Sequence, residues 1–265
     1  MEHVLGYGVV CCSFIAVRAE PSHRSEMVNQ LLFGEKYLVL DEHENWLHIA
    51  SAYDNYKGWI QYQTSAPPVQ TAPAPSDTPH PNNCFTQTPK IITDTNNKNP
   101  FLLLTGSSLP NYNGEIFEAN GNTFSVPEIE TNRIASNRQI LQNALLYLNI
   151  PYLWGGRSHA GIDCSGLVQV VFKMAQIQLP RDAYQQAEIG TIIDLKHAQV
   201  GDLAFFCAPN SPTEKITHVG IVAPQNTLLH ASTLVHIDLL TQAGIVHAQT
   251  QKITHKLLFI KKIIP

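Results

Sequence analysis

The sequence predicts an α+β protein: small all-β units come first, then a domain in which helices precede an antiparallel sheet. Three observations carry that expectation. Short β-type runs broken by turn residues fill the first 62 positions, and a Pro-rich stretch follows them. Beyond Glu130, apolar residues recur at helical spacing. From Asp202 onward, strand-like runs dominate.

In chain order, Tyr7–Val17, Glu35–Leu40, Trp46–Ile49 and Gly58–Ile60 read as strands, separated by Glu20-Pro21-Ser22 and Asp41–Asn45. Residues 1–62 are therefore assigned to a small all-β barrel. Residues 63–90 carry Pro at 67, 68, 73, 75, 79, 81 and 89, a composition that cannot build helix or central strand, and read as an extended linker. Residues 91–128 form a second small β unit, with Phe101–Leu104 and Thr123–Val126 its clearest strands and Gly106, Gly114 and Gly121 at turns. Residues 129–265 make up the α+β domain. There Ile140, Leu141, Ala144, Leu145 and Leu148 share one helical face until Asn149 and Pro151 end it. A second helix runs from about Cys164 to Ala175, and strands follow at Asp202–Phe206, His218–Ala223, Leu228–Ala231 and Leu257–Ile260.

Composition excludes several functions. The chain of 265 residues has a net charge of −4 and no block of Lys or Arg, which argues against nucleic acid and against a polybasic membrane contact. No stretch approaches ~18 uninterrupted apolar residues, so no transmembrane helix is expected. Glu2 and His3 stand where a signal peptide would be basic, and the apolar start is broken by Gly6, Gly8 and Ser13. The five cysteines form no CxxC pair and no disulfide or structural zinc pattern. They read as reduced thiols, so the expected compartment is cytoplasmic.

The chemistry concentrates around Cys164. A glycine-rich loop, Tyr152-Leu-Trp-Gly-Gly-Arg-Ser-His-Ala-Gly-Ile-Asp-Cys-Ser-Gly166, runs straight into the second helix. Asp163 is a natural N-cap, which puts Cys164 in the first helical turn, where free N–H groups favour thiolate. The competing reading is a small buried cysteine that merely starts a helix. His218, in Thr-His-Val-Gly-Ile-Val, and His230, in Leu-Leu-His-Ala-Ser, flank the turn Pro224-Gln-Asn226. A tight hairpin there brings the two rings opposite or nearly opposite, with Cβ atoms roughly 5 Å apart on one face. His218 would then take the thiol proton while His230 orients its ring, and Gly220 would clear space for the approaching helix. A zinc site on Cys164, His218 and His230 lacks ligand-pair spacing, so neither metal nor cofactor is expected.

These residues carry a resemblance. Tyr-Leu-Trp-Gly-Gly at 152–156, Asp-Cys-Ser-Gly-Leu at 163–167, Leu-Pro-Arg-Asp-Ala at 179–183, Gly-Asp-Leu at 201–203 and Thr-His-Val-Gly-Ile at 217–221 resemble the NlpC/P60 family of cell-wall cysteine peptidases. The resemblance implies a papain-like catalytic domain, with Cys164 as nucleophile, His218 as general base and His230 as third polar residue. It also implies that Tyr152 helps to form an oxyanion hole. Val-Arg-Ala-Glu-Pro at 17–21, Ser-Glu-Met-Val-Asn-Gln at 25–30, Gly34-Glu35 and Tyr-Lys-Gly-Trp-Ile at 56–60 resemble a bacterial SH3 domain, so the β units are expected to be SH3-like barrels. This combination resembles the γ-D-glutamyl-L-diamino acid endopeptidases of murein-peptide recycling. In them the SH3-like domain walls off the cleft and acidic groups hold the free amine of an N-terminal L-Ala. Glu26, Tyr56 and Asp182 match those recognition positions, with Ser165 beside the nucleophile. Their plain alternatives are a solvated turn carboxylate, a core-edge aromatic and a helix cap. Arg181 either holds a substrate carboxylate or pins the second helix. The implied substrate is a murein tri- or tetrapeptide, taken by a monomer. The rival expectations are a secreted endopeptidase acting on intact wall and a non-catalytic wall-binding module.

Overall fold

The structure is a computed structural model that describes residues 3–62, 84–95, 100–119, 122–126, 135–210 and 212–264. Most of the Pro-rich stretch, the Gly121 turn and the 128/129 boundary lie outside them. The chain divides into two compact units, residues 1–132 with 154–159, and residues 133–153 with 160–265. The loop Trp154–His159 thus belongs to the first unit, although the sequence places it inside the C-terminal domain.

The first unit opens with β1 (Gly6–Val9), β2 (Phe14–Arg18), β3 (Met27–Leu32), β4 (Lys36–His43), β5 (Trp46–Ser51) and β6 (Lys57–Gln61). These pair in the order β1-β4-β5-β6-β2-β3, and every pairing is antiparallel. Alternation along Phe14-Ile-Ala-Val-Arg18 turns Ile15 and Val17 inward. They meet Leu31, Tyr37, Val39, Leu47, Ile49 and Ile60 in the barrel core.

Two details differ from the sequence reading. Tyr7–Val17 is two strands interrupted at residues 10–13, and Met27–Leu32 is a full strand. That strand is hidden by polar Asn29 and Gln30, both buried. Gln30 explains its own burial. Its side-chain oxygen accepts from Arg157 N at 2.9 Å and its carbonyl accepts from the Arg157 guanidinium at 2.8 Å. Arg157 also makes a two-pronged ion pair with Glu35, at 2.9 and 3.1 Å. The loop carrying β11 (Arg157–Ser158) is therefore pinned to β3 through Gln30, and by a buried charge pair to Glu35 just beyond it.

The second sheet of this unit holds β7 (Lys90–Asp94), β8 (Pro100–Leu103), β9 (Ile116–Ala119) and β10 (Asn122–Ser125), in the order β8-β7-β10-β9. Its core contains Phe85, Ile92, Leu103, Leu109, Phe117, Phe124 and Val126, together with Phe33 from the link between β3 and β4. The Phe33 ring lies 4.7 Å from Phe101, 5.5 Å from Phe117 and 5.4 Å from Phe124, centroid to centroid. Phe85, which the sequence leaves in the linker, is fully buried because it fills this core, and its neighbours Cys84 and Thr86 are buried with it. Gly34 lets the chain turn there: its φ is +75°, and a Cβ would stand 2.1 Å from the Ser108 carbonyl oxygen. Gly34→Ala should cost about 2 kcal/mol in backbone strain alone, and more from the clash. Urea unfolding of the two proteins measures it, and a loss under ~0.5 kcal/mol would contradict the packing described.

The second unit begins with α1 (Asn137–Leu145), capped by Ser136, whose hydroxyl accepts from Gln139 N at 3.2 Å. After β12 (Gly161–Ile162) comes α2 (Cys164–Met174), buried along its whole length, and then the short α3 (Ala183–Gln186). The sheet contains β13 (Thr191–Ile193), β14 (Leu203–Cys207), β15 (His218–Ala223), β16 (Thr227–Ala231), β17 (Val235–Thr241), β18 (Gly244–Val246) and β19 (Ile253–Lys262). The order is β13-β19-β14-β15-β16-β17-β18, and β18 also pairs with β19, so six of the strands close on themselves. Helix α2 lies against β15 and β16.

Candidate active site

Cys164 is the first residue of α2 and is almost fully buried. Asp163 caps the helix through a 2.7 Å hydrogen bond from Gly166 N. The Asp163 carboxylate is in turn held by Arg181, whose guanidinium also donates to Ser165 Oγ at 2.8 Å. Arg181 is 2% exposed and donates to Asp163 and Ser165, which ties it to the start of α2. Ser165 belongs to the same network, between Arg181 and Asp163. Burial, with Asp163 beside it, pushes the Cys164 thiol up to about 12, against the pull of Val219 and Ser165 N–H groups and of Arg181. The helix start alone does not make a resting thiolate here, because desolvation outweighs it. A proton acceptor is required.

Strand β15 lies against α2. The Val219 N–H reaches the sulfur, and His218 is the residue before it. His218 Nε2 is 2.8 Å from His230 Nδ1, and His230 Nε2 is 3.4 Å from Asp238 Oδ2. Burial, then the neighbouring histidines, holds His218 well below its usual range, and burial lowers His230 as well. Both rings are therefore neutral at pH 7, and the hydrogen bonds set their tautomers. A carboxylate only accepts, so His230 Nε2 carries the hydrogen. His230 Nδ1 then accepts from His218 Nε2–H, which leaves a lone pair on His218 Nδ1. Burial pushes Asp238 up, but hydrogen bonds from His230 and from Ala248 N outweigh it and keep the carboxyl well below the usual range.

The hairpin register differs from the sequence expectation. Ile221 pairs with Leu229 and Ala223 with Thr227, so extending the register puts His230 beside Gly220, not His218. The two rings meet diagonally along one face. A Cβ on Gly220 would meet Leu228 at 2.7 Å and His230 Cβ at 3.0 Å, so this glycine clears space for β16 side chains rather than for α2.

Tyr152 is half-buried on the segment preceding β12, bridged to Ile162. Burial first, then the nearby Cys164 and Asp163, raise its phenol, so it remains a hydrogen-bond donor near the sulfur. Asp182 N-caps α3 in a capping box with Gln185, the cap alternative of the sequence reading. Glu26 and Tyr56 lie in the first unit. There the Glu26 carboxylate accepts from the indole N–H of Trp154, whose ring is 60% exposed.

Sequence reasoning missed Asp238, His236 and His255. His255 on β19 stacks on His218 with centroids 4.3 Å apart, and burial lowers it to about 4. His236 and Asp238 stand two apart on β17, a period-2 signal that could have been found beside His230. If the tautomer chain holds, Asp238→Asn should lower kcat by about 10²-fold with KM little changed, because an amide can donate to His230 and reverse the chain. Steady-state kinetics checks this; a lower melting temperature at unchanged kcat would leave Asp238 purely structural.

A thiol at the start of a helix packed on the antiparallel sheet that carries an imidazole pair defines a cysteine-type peptidase with a papain-like α+β fold. The NlpC/P60 family pattern matches residues 149–256, and the bacterial dipeptidyl-peptidase SH3 domain pattern matches residues 17–63. The chain is 31% identical over 231 residues to the γ-D-glutamyl-L-lysine dipeptidyl-peptidase of Bacillus subtilis, covering 80% of this chain and 75% of that one. It is 27% identical over 263 residues to dipeptidyl-peptidase 6 of Lysinibacillus sphaericus, covering 84% and 87%. A crystal structure of an NlpC/P60 family protein from Bacillus cereus shares the fold, with a TM-score of 0.77 at 16% identity over 98% of this chain. The chain belongs to the NlpC/P60 family.

Proposed function

We propose that this peptidase hydrolyses peptidoglycan-derived peptides at the bond between γ-D-Glu and a diamino acid, and that it requires a free N-terminal L-Ala. The observation that carries the chemistry is the chain from His218 through His230 to Asp238 beside the Cys164 helix start. The substrate class rests on the likeness to the B. subtilis and L. sphaericus enzymes over most of the chain.

In this reading His218 Nδ1 takes the thiol proton as sulfur attacks the γ-carbonyl carbon. The oxyanion is met by N–H groups at the start of α2 and by the Tyr152 hydroxyl. Collapse of the tetrahedral intermediate breaks the C–N bond, and His218 returns the proton to the leaving amine. Water, deprotonated by the same nitrogen, then cleaves the thioester and releases L-Ala-D-Glu. The amine requirement rests on the resemblance of Glu26, Tyr56 and Asp182 to recognition positions of those enzymes, since a primary amine that loses hydration on binding needs charged partners. A soluble tri- or tetrapeptide, met by a monomer in the cytoplasm during wall-peptide recycling, fits that requirement.

The test compares L-Ala-γ-D-Glu-L-Lys, its N-acetyl form and intact sacculi. The free tripeptide should be cleaved at least ~10²-fold faster than the acetylated one, the scale of losing a charge-assisted pair. Equal rates on the two peptides would remove the amine pocket, and activity on sacculi alone would defeat the recycling role.

A further inference from the structure

We infer that His230, His236 and Asp238 form a binding site for a first-row divalent metal ion of the zinc type, and that filling it switches the peptidase off. The ligand atoms His230 Nε2, His236 Nε2 and Asp238 Oδ2 lie within 4.8 Å of one another. Two of the three separations are hydrogen-bond distances: 3.4 Å from His230 to Asp238, and 3.1 Å from His236 to Asp238. Tetrahedral zinc with bonds near 2.05 Å sets its ligands about 3.4 Å apart, so both edges fit with little movement.

The atoms behind the ligands are also in place. His236 Nδ1 is 2.9 Å from the Leu234 carbonyl, His230 Nδ1 faces His218, and the second Asp238 oxygen accepts from Ala248 N at 3.1 Å. Metal-binding histidines ordinarily have the second nitrogen engaged in this way. The Leu234 carbonyl can only accept, so His236 Nδ1 carries a hydrogen, and a neutral ring then aims its Nε2 lone pair at the Asp238 carboxylate. That nitrogen and the carboxylate oxygen, 3.1 Å apart, are both electron-pair donors, the pairing that a divalent metal ion takes. His230 and Asp238 are buried while His236 is 22% exposed, so the fourth position opens on the His236 side, where water would complete the shell. Two imidazoles and one carboxylate suit zinc, cobalt or nickel; calcium and magnesium require oxygen donors.

Occupancy has a definite consequence for the relay. A metal on His230 Nε2 displaces the hydrogen from that atom to Nδ1. His230 then donates to His218 Nε2, whose own hydrogen must move to Nδ1, the nitrogen that was to accept from Cys164. The base is thereby blocked without any ligand on sulfur. This inhibition rests on the assignment of His218 as base, whereas the binding does not.

Binding is therefore tested without turnover, by titrating Co(II) into the Cys164→Ala protein. One equivalent should bind, giving the visible bands of four-coordinate cobalt and no thiolate charge-transfer band. Adding His236→Ala should weaken binding by at least ~100-fold, since even losing an outer partner costs 10–100-fold. X-ray absorption on the Zn(II) form of Cys164→Ala should count two imidazoles and no sulfur. Equal affinity with and without His236, sulfur in the shell, or loss of all binding with Cys164→Ala would each overturn the site. If binding holds and Zn(II) leaves the wild-type activity intact, the relay reading fails instead.

Discussion

Cys164→Ala is expected to abolish hydrolysis, with kcat/KM falling by roughly 10⁴-fold or more, while the protein stays folded. The size of the effect follows from the lack of a substitute nearby. Ser165, the adjacent hydroxyl, is tied between Arg181 and Asp163, and its oxygen is not offered to His218. The replacement removes one buried sulfur from a tightly packed helix, so the stability change should stay near 1 kcal/mol. Turnover of the tripeptide and thermal melts, measured on the same preparation, separate the two effects. Residual activity above about 1% of wild type would rule Cys164 out as the nucleophile.

The second large effect is expected from Arg181→Met, as a loss of stability of about 3–5 kcal/mol. The arginine's methylenes are matched in volume, but the Asp163 carboxylate is left buried without its guanidinium partner. The change also acts on the chemistry. Asp163 disfavours the Cys164 thiolate and Arg181 offsets it, so removing Arg181 exposes the sulfur to an undiluted negative charge. In protein that remains folded, kcat should therefore fall with KM little altered. A pure rise in KM would restore the other reading, an arginine that grips a substrate carboxylate. The double variant Asp163→Asn, Arg181→Met should regain part of the lost stability, because it removes the uncompensated charge as well. Chemical denaturation of the four proteins of this cycle gives the coupling directly.

The sequence made some features legible and hid others for physical reasons. The start of α2 was readable because capping is local: Asp163 and Gly166 are three residues apart, and the carboxylate finds that N–H. The closeness of His218 and His230 was readable in kind but not in register. The turn is centred on Gln225, and Gln225 and Asn226 both take positive φ, 59° and 54°. A turn centred on Gln225 sets His230 beside Gly220, whereas facing His218 would need a centre at Pro224, one residue earlier. The strand Met27–Leu32 escaped because its polar Gln30 is buried by a partner more than a hundred residues away in sequence, which no local period reports. His255 escaped for the same reason, since it reaches His218 only through the pairing of β19 with β14 and β18. The role of Arg181 was undecidable from spacing, because both readings need the same residue at the same place. Its bonds to Asp163 and Ser165 show the helix contact, and the KM-against-kcat split of Arg181→Met separates the two.

The Phe33 ring carries a consequence for how such proteins are assembled from parts. The recognisable SH3 segment ends at residue 63, yet one of its aromatic side chains sits among phenylalanines that come after the Pro-rich stretch. A fragment cut at that boundary would expose Phe33 to water, and a graft that moved the barrel to another chain would carry a sticky spot with it. The barrel is thus not an interchangeable cassette. Any recombination that keeps it intact has to transport the following sheet as well, and residues 3–126 would be inherited, lost or stabilised together.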